Sequence, residues 1–247
     1  MNKKIAIIPA RYQSSRFPGK PLALICGKPM IQWVYERTAN VSCLDEVYVA
    51  TDDERIKECV KSFGGRCLMT ASYHESGTDR LAECVEVLGL DDTDIVLNIQ
   101  GDEPLIEEQM ILDLISTMKE QEDMGTLKEL IVSKEDIENT NIVKVVTDIH
   151  NNALYFSRYP IPFNRGNIEQ VKYYRHVGVY AYRVRFLKEF AKMAKSQYEK
   201  IECLEQLRAL ENGYKIKVKT TSSSSMGVDI PEQIQQVEQK LMKSQLR

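Results

Sequence analysis

Three cations and two hydroxyl groups lie within a span of ten residues near the start of the chain. Arg11, Arg16 and Lys20 supply the charges, and Ser14 and Ser15 supply the hydroxyls. The segment follows a short apolar run of the kind that forms a strand buried on both faces, and a helical pattern comes after it. Backbone N–H groups and cationic side chains at such a junction commonly hold phosphate. We therefore predict an anion site here, in preference to an ordinary connection with solvated charges.

Two carboxylates could complete a phosphate site by binding a divalent cation. Asp102 comes just after the apolar run 94–99, and Asp229 lies on a loop late in the chain. Carboxylate oxygens, together with water and phosphate oxygens, are the ligands that Mg²⁺ prefers. Read alone, each Asp is explained equally well as a turn residue or a helix cap. The spacing of the two residues does not show that they pair.

Arg80 is a further candidate for binding an anion. It follows Ser-Gly-Thr-Asp at 76–79 and precedes a helix predicted over 81–88. The helix dipole disfavours a solvated cation in a first turn, so an anionic partner is the better explanation. Gln100, beside Asp102, would face the same cleft.

Strands alternate with helices in the first hundred residues, which predicts right-handed βαβ units. The predicted fold is α/β, with a mostly parallel central sheet and helices on both faces. We expect one domain over 1–247 that includes a smaller strand-rich excursion at about 140–185. The predicted strands cover residues 5–9, 46–50, 66–70, 94–99, 142–147, 153–158, 175–183 and 214–220, and the predicted helices cover residues 29–38, 54–63, 81–88, 199–212 and 231–242. Ligands of such sheets bind outside the carboxyl ends of the strands, where the basic loop and Asp102 both lie.

Composition argues against several classes of protein. A net charge of −3 disfavours bulk binding to nucleic acid or to an anionic membrane. The sequence has no apolar stretch near the ~20 residues of a membrane span and no signal-peptide pattern. Its six cysteines form no C-x-x-C pair, and three scattered histidines give no zinc motif. We expect a cytoplasmic protein with reduced thiols.

The basic loop has neither the Walker A pattern nor the dinucleotide-binding glycine pattern. With P-A-R-Y at 9–12, S-S-R at 14–16 and P-G-K-P-L at 18–22, it resembles the signature loop of the sugar nucleotidyltransferases. In detail it is similar to that of the 3-deoxy-manno-octulosonate (Kdo) cytidylyltransferases. Further motifs fit that family in the same order over nearly the whole chain. They are found at 76–80, 100–104, 143–146, 153–158, 161–162, 204–208 and 227–229.

The resemblance implies transfer of CMP from CTP to Kdo, with release of pyrophosphate, for lipopolysaccharide or capsule synthesis. It implies that Asp102 and Asp229 bind Mg²⁺, which would bring the α-phosphate and the sugar hydroxyl together. The basic loop would stabilise the leaving pyrophosphate. The nucleotide-binding residues that it implies are Arg11, Ser14, Arg16, Lys20, Arg80, Gln100 and Asp102, with Arg11, Lys20, Asp102 and Asp229 catalytic.

The acceptor sugar acid needs a site of its own. Alternation along the strand predicted over 175–183 puts a His, a Gly and two Tyr on one face, a possible polar platform for a sugar. Without the resemblance, a solvent-facing sheet surface explains this pattern equally well. An Arg at the end of 153–158 could clamp the substrate carboxylate as a bidentate fork, and the resemblance adds the acidic–amide pair of the L-E-Q-L-R motif. The expected sugar-binding residues are Arg158, His176, Tyr180, Glu205 and Gln206.

The sequence departs from the family pattern in places. Ile230 stands where Thr is common, and the segment 125–138 is more charged than usual. These departures bear on sugar selectivity and on the surface of the expected homodimer. A different 2-keto sugar acid, such as 8-amino-Kdo or a nonulosonic acid, is the nearest alternative acceptor. A non-catalytic nucleotide-binding protein is a second alternative, disfavoured by the presence of Lys20, Asp102 and Asp229.

Overall fold

The computed structural model describes residues 2–13, 17–223 and 226–245. The strands are β1 Lys4–Pro9, β2 Leu24–Ile25, β3 Lys28–Pro29, β4 Glu46–Thr51, β5 Cys67–Met69, β6 Ile95–Asn98, β7 Met124–Leu130, β8 Lys144–Thr147, β9 Ala153–Ser157, β10 Tyr174–Arg183 and β11 Ile216–Thr220. The helices are α1 Met30–Ala39, α2 Glu54–Ser62, α3 Gly77–Val87, α4 Glu108–Ile115, α5 Lys134–Glu138, α6 Val184–Phe190, α7 Gln197–Glu202, α8 Gln206–Glu211 and α9 Gln233–Gln245.

The central sheet has the strand order β11-β7-β10-β6-β1-β4-β5. Its neighbouring strands are parallel except for β10, which runs antiparallel to both β6 and β7. The predicted α/β fold is therefore confirmed, and the sheet is mostly parallel. A separate two-stranded sheet, β2–β3, was not predicted.

Both faces of β1 are buried, which explains its unbroken apolar sequence. Ile5 and Ile7 belong to one apolar cluster, and Ala6 and Ile8 belong to the cluster on the opposite face. Because side chains alternate along a strand, each face of the sheet needs its own cover of helices. Packing on both faces fixes β1 at the centre of the sheet.

The helix predicted over 81–88 begins earlier, at Gly77. The side chain of Ser76 accepts a hydrogen bond from the Asp79 N–H, and the Asp79 carboxylate accepts one from the Ser76 N–H. This reciprocal capping box starts the helix four residues before the predicted position. Arg80 therefore lies inside α3.

The helix predicted over 199–212 is two short helices, α7 and α8. Cys203, between them, has a φ of 54°, in the left-handed region that ends a helix. The prediction of one helix was wrong because both halves carry helical apolar spacing. The break turns the chain and places Glu205 at the start of α8.

The strand-rich segment at about 140–185 is joined to the central sheet. β8 and β9, both predicted as strands, form an antiparallel hairpin, whose turn is held by hydrogen bonds from the N–H groups of His150 and Asn152 to the Asp148 carboxylate. Strand β10 pairs with β8 at Arg175 and then continues into the central sheet between β6 and β7. The segment thus extends the sheet rather than forming a separate unit.

Helix α9 packs against the β2–β3 sheet in a third apolar cluster. Ile25 and Met30 meet Val237 and Leu241 of the helix, and Val228 joins them from the preceding loop. In the described part of the chain, no helix is long and apolar enough to cross a membrane.

Candidate functional site

A cavity of about 480 Å³ opens at the carboxyl ends of β1 and β6. This edge is where parallel α/β sheets bind ligands. We call it the main cleft. It is lined by Pro9, Ala10, Arg11, Gln13, Lys20, Pro21, His74, Ser76, Gly77, Arg80, Gln100, Gly101, Asp102 and Asp229. Of the predicted nucleotide-binding and catalytic residues, the structure brings six together here: Arg11, Lys20, Arg80, Gln100, Asp102 and Asp229.

Close backbone approach positions the two carboxylates. A Cβ on Gly101 would lie 2.9 Å from the Pro9 carbonyl oxygen, so the segment after β6 can lie against β1 only because this residue is glycine. Next along the chain, the Asp102 carbonyl accepts a hydrogen bond of 2.9 Å from the Val228 N–H. That bond brings the loop of Asp229 beside Asp102.

The Lys20 ammonium lies close to both carboxylates. Its Nζ donates to Asp102 Oδ2 at 2.5 Å and is 3.8 Å from Asp229 Oδ1. The Lys20 side chain is only 15% exposed, whereas that of Asp229 is 55% exposed. Two carboxylates so close together repel each other unless a cation offsets their charge, and Lys20 supplies that charge.

The basic loop closes onto itself through Gly19. The Gly19 N–H donates to the Tyr12 carbonyl at 2.9 Å, and a φ of 72° is needed there. The Tyr12 ring in turn stacks under the Arg55 guanidinium at 3.3 Å. Arg11 lies exposed at the rim, with Nη1 3.5 Å from the Glu75 carbonyl oxygen. The predicted residues Ser14 and Arg16 lie outside the described residues.

Arg80 is buried in the wall of the main cleft. Its guanidinium donates to Thr70 Oγ1 and lies 3.4 Å from an Asp52 carboxylate oxygen. The alternative of a solvated surface Arg is therefore wrong. Gln100 lines the same cleft, and its Nε2 donates to Asn98 Oδ1 at 3.3 Å.

His176 and Tyr180 share one face of β10, as predicted. Their ring centroids are 5.3 Å apart, although a bulge shifts the pairing with β7 between Val177 and Tyr180. Thr126 fills the bulge, since its hydroxyl is within hydrogen-bond distance of two β10 carbonyls and of His176 Nε2. Tyr182, expected on the same platform, is instead buried in the core.

Burial shifts the pKa values of both residues on this aromatic face. Desolvation lowers the pKa of His176 to about 3 and raises the pKa of Tyr180. Both groups are therefore neutral near pH 7. They can offer hydrogen bonds and ring surface to a ligand, but no charge.

Glu205 joins this face to the main cleft. Its Oε2 accepts a hydrogen bond of 2.5 Å from the hydroxyl of Thr78, which lies in the first turn of α3, next to the cleft. Burial raises the pKa of the Glu205 carboxyl, and Arg208, 3.6 Å away, opposes that shift. The predicted partner Gln206 is buried at the start of α8.

Arg158 does not line the main cleft. Its guanidinium donates to the backbone carbonyls of Glu202, Cys203 and Thr140 at 2.8, 3.4 and 3.2 Å. It therefore caps the end of α7 at the break before Glu205. Its expected role as a clamp for a substrate carboxylate stays a prediction.

The donor set of the main cleft fits Mg²⁺. Among the described residues no cluster of three or more His, Cys, Asp or Glu could hold a metal ion. A cation beside Asp102 and Asp229 would complete its shell with water and with phosphate oxygens. This is how Mg²⁺ is usually held at nucleotide sites, through one or two carboxylates and the substrate phosphates.

Two residues of the site were not predicted. They are Asp52, whose carboxylate lies 3.4 Å from the buried Arg80 guanidinium, and His74, which lines the cleft. The position of Asp52 directly after β4, at the same sheet edge as Asp102, is a signal that could have found it.

Three kinds of comparison relate the chain to known proteins. A family model described as cytidylyltransferase matches residues 5–216. A 3-deoxy-manno-octulosonate cytidylyltransferase of Thermodesulfovibrio yellowstonii is 53% identical over 245 residues, which cover 95% of this chain and 96% of that protein. An 8-amino-3,8-dideoxy-manno-octulosonate cytidylyltransferase of Shewanella putrefaciens is 50% identical over 243 residues, with coverage of 97% and 99%.

A solved structure described as CMP:2-keto-3-deoxy-manno-octonic acid synthetase complexed with CTP aligns with a TM-score of 0.93. It is 43% identical in sequence, and the alignment covers 98% of this chain and 100% of that one. These matches confirm the resemblance carried by the motifs. The family model spans most of the chain and the relatives span nearly all of it, so the chain belongs to the cytidylyltransferase family.

Proposed function

We propose that this protein transfers CMP from CTP to 3-deoxy-D-manno-octulosonate (Kdo), giving CMP-Kdo and pyrophosphate. The observation that carries the proposal is the Lys20 ammonium within ion-pair distance of Asp102 and Asp229, at a sheet edge suited to phosphates. Relatives named for this reaction, and a similar structure complexed with CTP, support it.

The cations of the main cleft have a clear task in this reaction. Lys20, Arg11 and Arg80 would bind the triphosphate and offset the charge that grows on the departing pyrophosphate. The anomeric hydroxyl of the sugar would attack the α-phosphorus in line and lose its proton to solvent, so that the new P–O bond forms as the bond to pyrophosphate breaks. When bound by Asp102 and Asp229, Mg²⁺ would offset phosphate charge and lower the pKa of the hydroxyl.

The sugar acid would bind on the aromatic face beside the cleft. Thr78 connects the two places, because α3 lines the main cleft at its start and Thr78 binds Glu205. A neutral His176 and Tyr180 would contact the sugar through hydrogen bonds and ring faces. The Glu205 carboxylate would accept hydrogen bonds from the sugar hydroxyls, and the Gln206 amide could both donate to them and accept from them.

We further propose that the enzyme is a homodimer and that its strand-rich segment forms the interface. Large apolar side chains are exposed along that part of the chain, among them Ile149 at 92% and Phe163 at 83%. Exposed apolar side chains gathered in one region mark interaction surfaces. We place the reaction in the cytoplasm, which supplies CTP, and its product in lipopolysaccharide or capsule synthesis.

Pyrophosphate release with CTP, Mg²⁺ and a panel of 2-keto sugar acids tests the reaction. Asp102→Asn and Asp229→Asn should each lower the rate by about 100-fold or more, since each removes a carboxylate that would hold the Mg²⁺ offsetting the phosphate charge. Asp91→Asn, an exposed change at the opposite end of β6, is the matched control and should leave the rate unchanged.

The panel also decides between acceptors. Relatives named for 8-amino-3,8-dideoxy-manno-octulosonate are about as similar as those named for Kdo, which makes that amino sugar the second candidate. Turnover with that sugar alone would keep the mechanism and change the substrate. CTP binding without pyrophosphate release for any acceptor would overturn the proposal in favour of a non-catalytic nucleotide-binding protein.

A further inference from the structure

The Asp229 carboxylate lies exposed on a loop, so its position depends on the contacts that restrict this loop. Its side chain is 55% exposed, and residues 226–230 have no regular secondary structure. A carboxylate on a free loop would lose conformational freedom on binding a cation, and that loss would weaken binding. The contacts of the loop backbone therefore decide how well the carboxylate is placed.

Gln233 holds this loop from inside the next helix. Its side-chain Oε1 accepts hydrogen bonds from the N–H groups of Asp229 at 2.6 Å and Ile230 at 3.1 Å. The Gln233 N–H in turn donates to the Ile230 carbonyl at 3.1 Å. The side chain of Gln233, the first residue of α9, therefore reaches back to the loop amides, while its N–H closes the turn at 230–233.

The side chain of Ile230 is apolar and offers no acceptor to the N–H groups of this turn. The loop amides of Asp229 and Ile230 therefore depend on the Gln233 amide oxygen.

The opposite side of the loop is fixed by the fold. The Val228 N–H donates to the Asp102 carbonyl, and the Val228 side chain is buried against Val237 and Leu241 of α9. Two anchors, Val228 before Asp229 and Gln233 after it, thus set the direction of the carboxylate between them. Both anchors involve α9.

We propose that Gln233 is a positioning residue for Asp229, through which the C-terminal helix sets the affinity of the main cleft for a divalent cation and nucleotide. The inference rests on the proposed function in taking Asp229 as a metal ligand. Residues outside the ligand sphere that orient a metal ligand commonly change metal affinity by about 10- to 100-fold.

Hydrogen exchange of the protein free of metal and nucleotide tests the positioning itself. In Gln233→Met the amides of Asp229 and Ile230 should exchange on the order of 10-fold faster, because each loses its acceptor. Gln233→Glu keeps an acceptor and should exchange like the wild type. Gln236→Met, an exposed change on the same helix, is the matched control.

Binding of Mn²⁺ in the presence of CTP, followed by electron paramagnetic resonance, tests the consequence. We expect Gln233→Met to weaken Mn²⁺ binding by about 10-fold, with Gln233→Glu at least as tight as the wild type and Gln236→Met unchanged. Slow exchange at residues 237–243 in every variant would show that α9 stays docked.

These readouts separate the inference from the proposed function. Unchanged exchange at Asp229 in Gln233→Met would overturn the inference even if the enzyme is active. Faster exchange with unchanged Mn²⁺ affinity would overturn it as well, since positioning would then not matter. If no acceptor supports turnover but Mn²⁺–CTP affinity falls as expected, the proposed reaction fails and the inference stands.

Discussion

The imidazole of His176 should make the protein less stable in mild acid. Its ring packs edge-on against Phe156, at 5.0 Å between centroids, and against Tyr180, and desolvation lowers its pKa to about 3. In the unfolded chain a histidine has a pKa of about 6.5. Because the folded pKa is the lower one, the unfolded state takes up the proton first. The stability contributed by the neutral ring is complete above pH ~6.5 and is lost as the pH falls from there toward ~3.

The magnitude follows from these two pKa values. At about pH 5, the pH is ~1.5 units below the pKa of His176 in the unfolded chain. Protonation of the unfolded chain then favours unfolding by about 2 kcal/mol relative to neutral pH. His176→Gln removes this titration and keeps a polar group near the Thr126 hydroxyl, which lies 3.0 Å from Nε2. We therefore expect the loss of unfolding free energy on acidification to be about 2 kcal/mol smaller in the variant.

Urea unfolding of the wild type and of His176→Gln at about pH 7.5 and 5.0 measures this difference in unfolding free energy. The contributions of the other titrating groups are the same in both proteins and cancel. His150→Gln, on an exposed turn, is the control and should behave like the wild type. A difference below about 0.5 kcal/mol for His176→Gln would refute the assignment of a desolvated, neutral ring. The neutral ring would also mean that His176 contributes no charge to the binding of a sugar acid.

Two more substitutions probe how the main cleft is built. Asp52→Asn removes the charged partner of the buried Arg80, so we expect the KM for CTP to rise by about 10-fold, as measured by steady-state kinetics. Gly101→Ala places a Cβ at 2.9 Å from the Pro9 carbonyl oxygen, so the segment carrying Asp102 must shift. We expect a rate at least about 10-fold lower, with little change in the far-ultraviolet circular dichroism.

A substitution of the same kind at another position provides the control for each of these two variants. Asp53→Asn removes the negative charge at the N-terminus of α2, so it should lower stability slightly without changing the KM for CTP. Gly166→Ala meets no heavy atom closer than 3.6 Å and should be silent. An unchanged KM in Asp52→Asn would mean that Arg80 does not act on the nucleotide. Full activity in Gly101→Ala would mean that the contact with β1 is not needed.

Some strand positions were predictable because burial leaves a simple mark on the sequence, whereas β7 of the central sheet was not predicted. β1, β4 and β6 are short apolar runs with polar residues directly after them, and the structure confirms all three. Ser and Asp at 76 and 79 have the spacing of a capping box and could have marked the start of α3, but the prediction began the helix at residue 81. The break at Cys203 was not readable, because a left-handed non-glycine residue between two helical patterns leaves no periodic signal.

The residues of the site were easier to predict from the sequence than the contacts that bring them together. Asp102 and Asp229 meet through one backbone hydrogen bond at Val228 and the docking of α9, and neither can be inferred from spacing. Arg158 shows that the partner of a side chain is also hard to predict from its type. Its type predicts a carboxylate clamp, which stays a prediction, and the structure shows its guanidinium bound to backbone carbonyls at the break after α7. Which partner an Arg takes depends on groups that only the folded chain brings near.

The position of Lys20 suggests how the cleft stays ready for substrate. Its ammonium holds two carboxylates that would otherwise repel each other, and it lies in the same cleft that would receive the triphosphate. Phosphate oxygens arriving there offer Lys20 a stronger, multiply charged partner. Turning toward them would free oxygens of Asp102 and Asp229 for the cation that accompanies the nucleotide. Under the proposed function, one ammonium would thus keep the carboxylates together before binding and neutralise the phosphates after it.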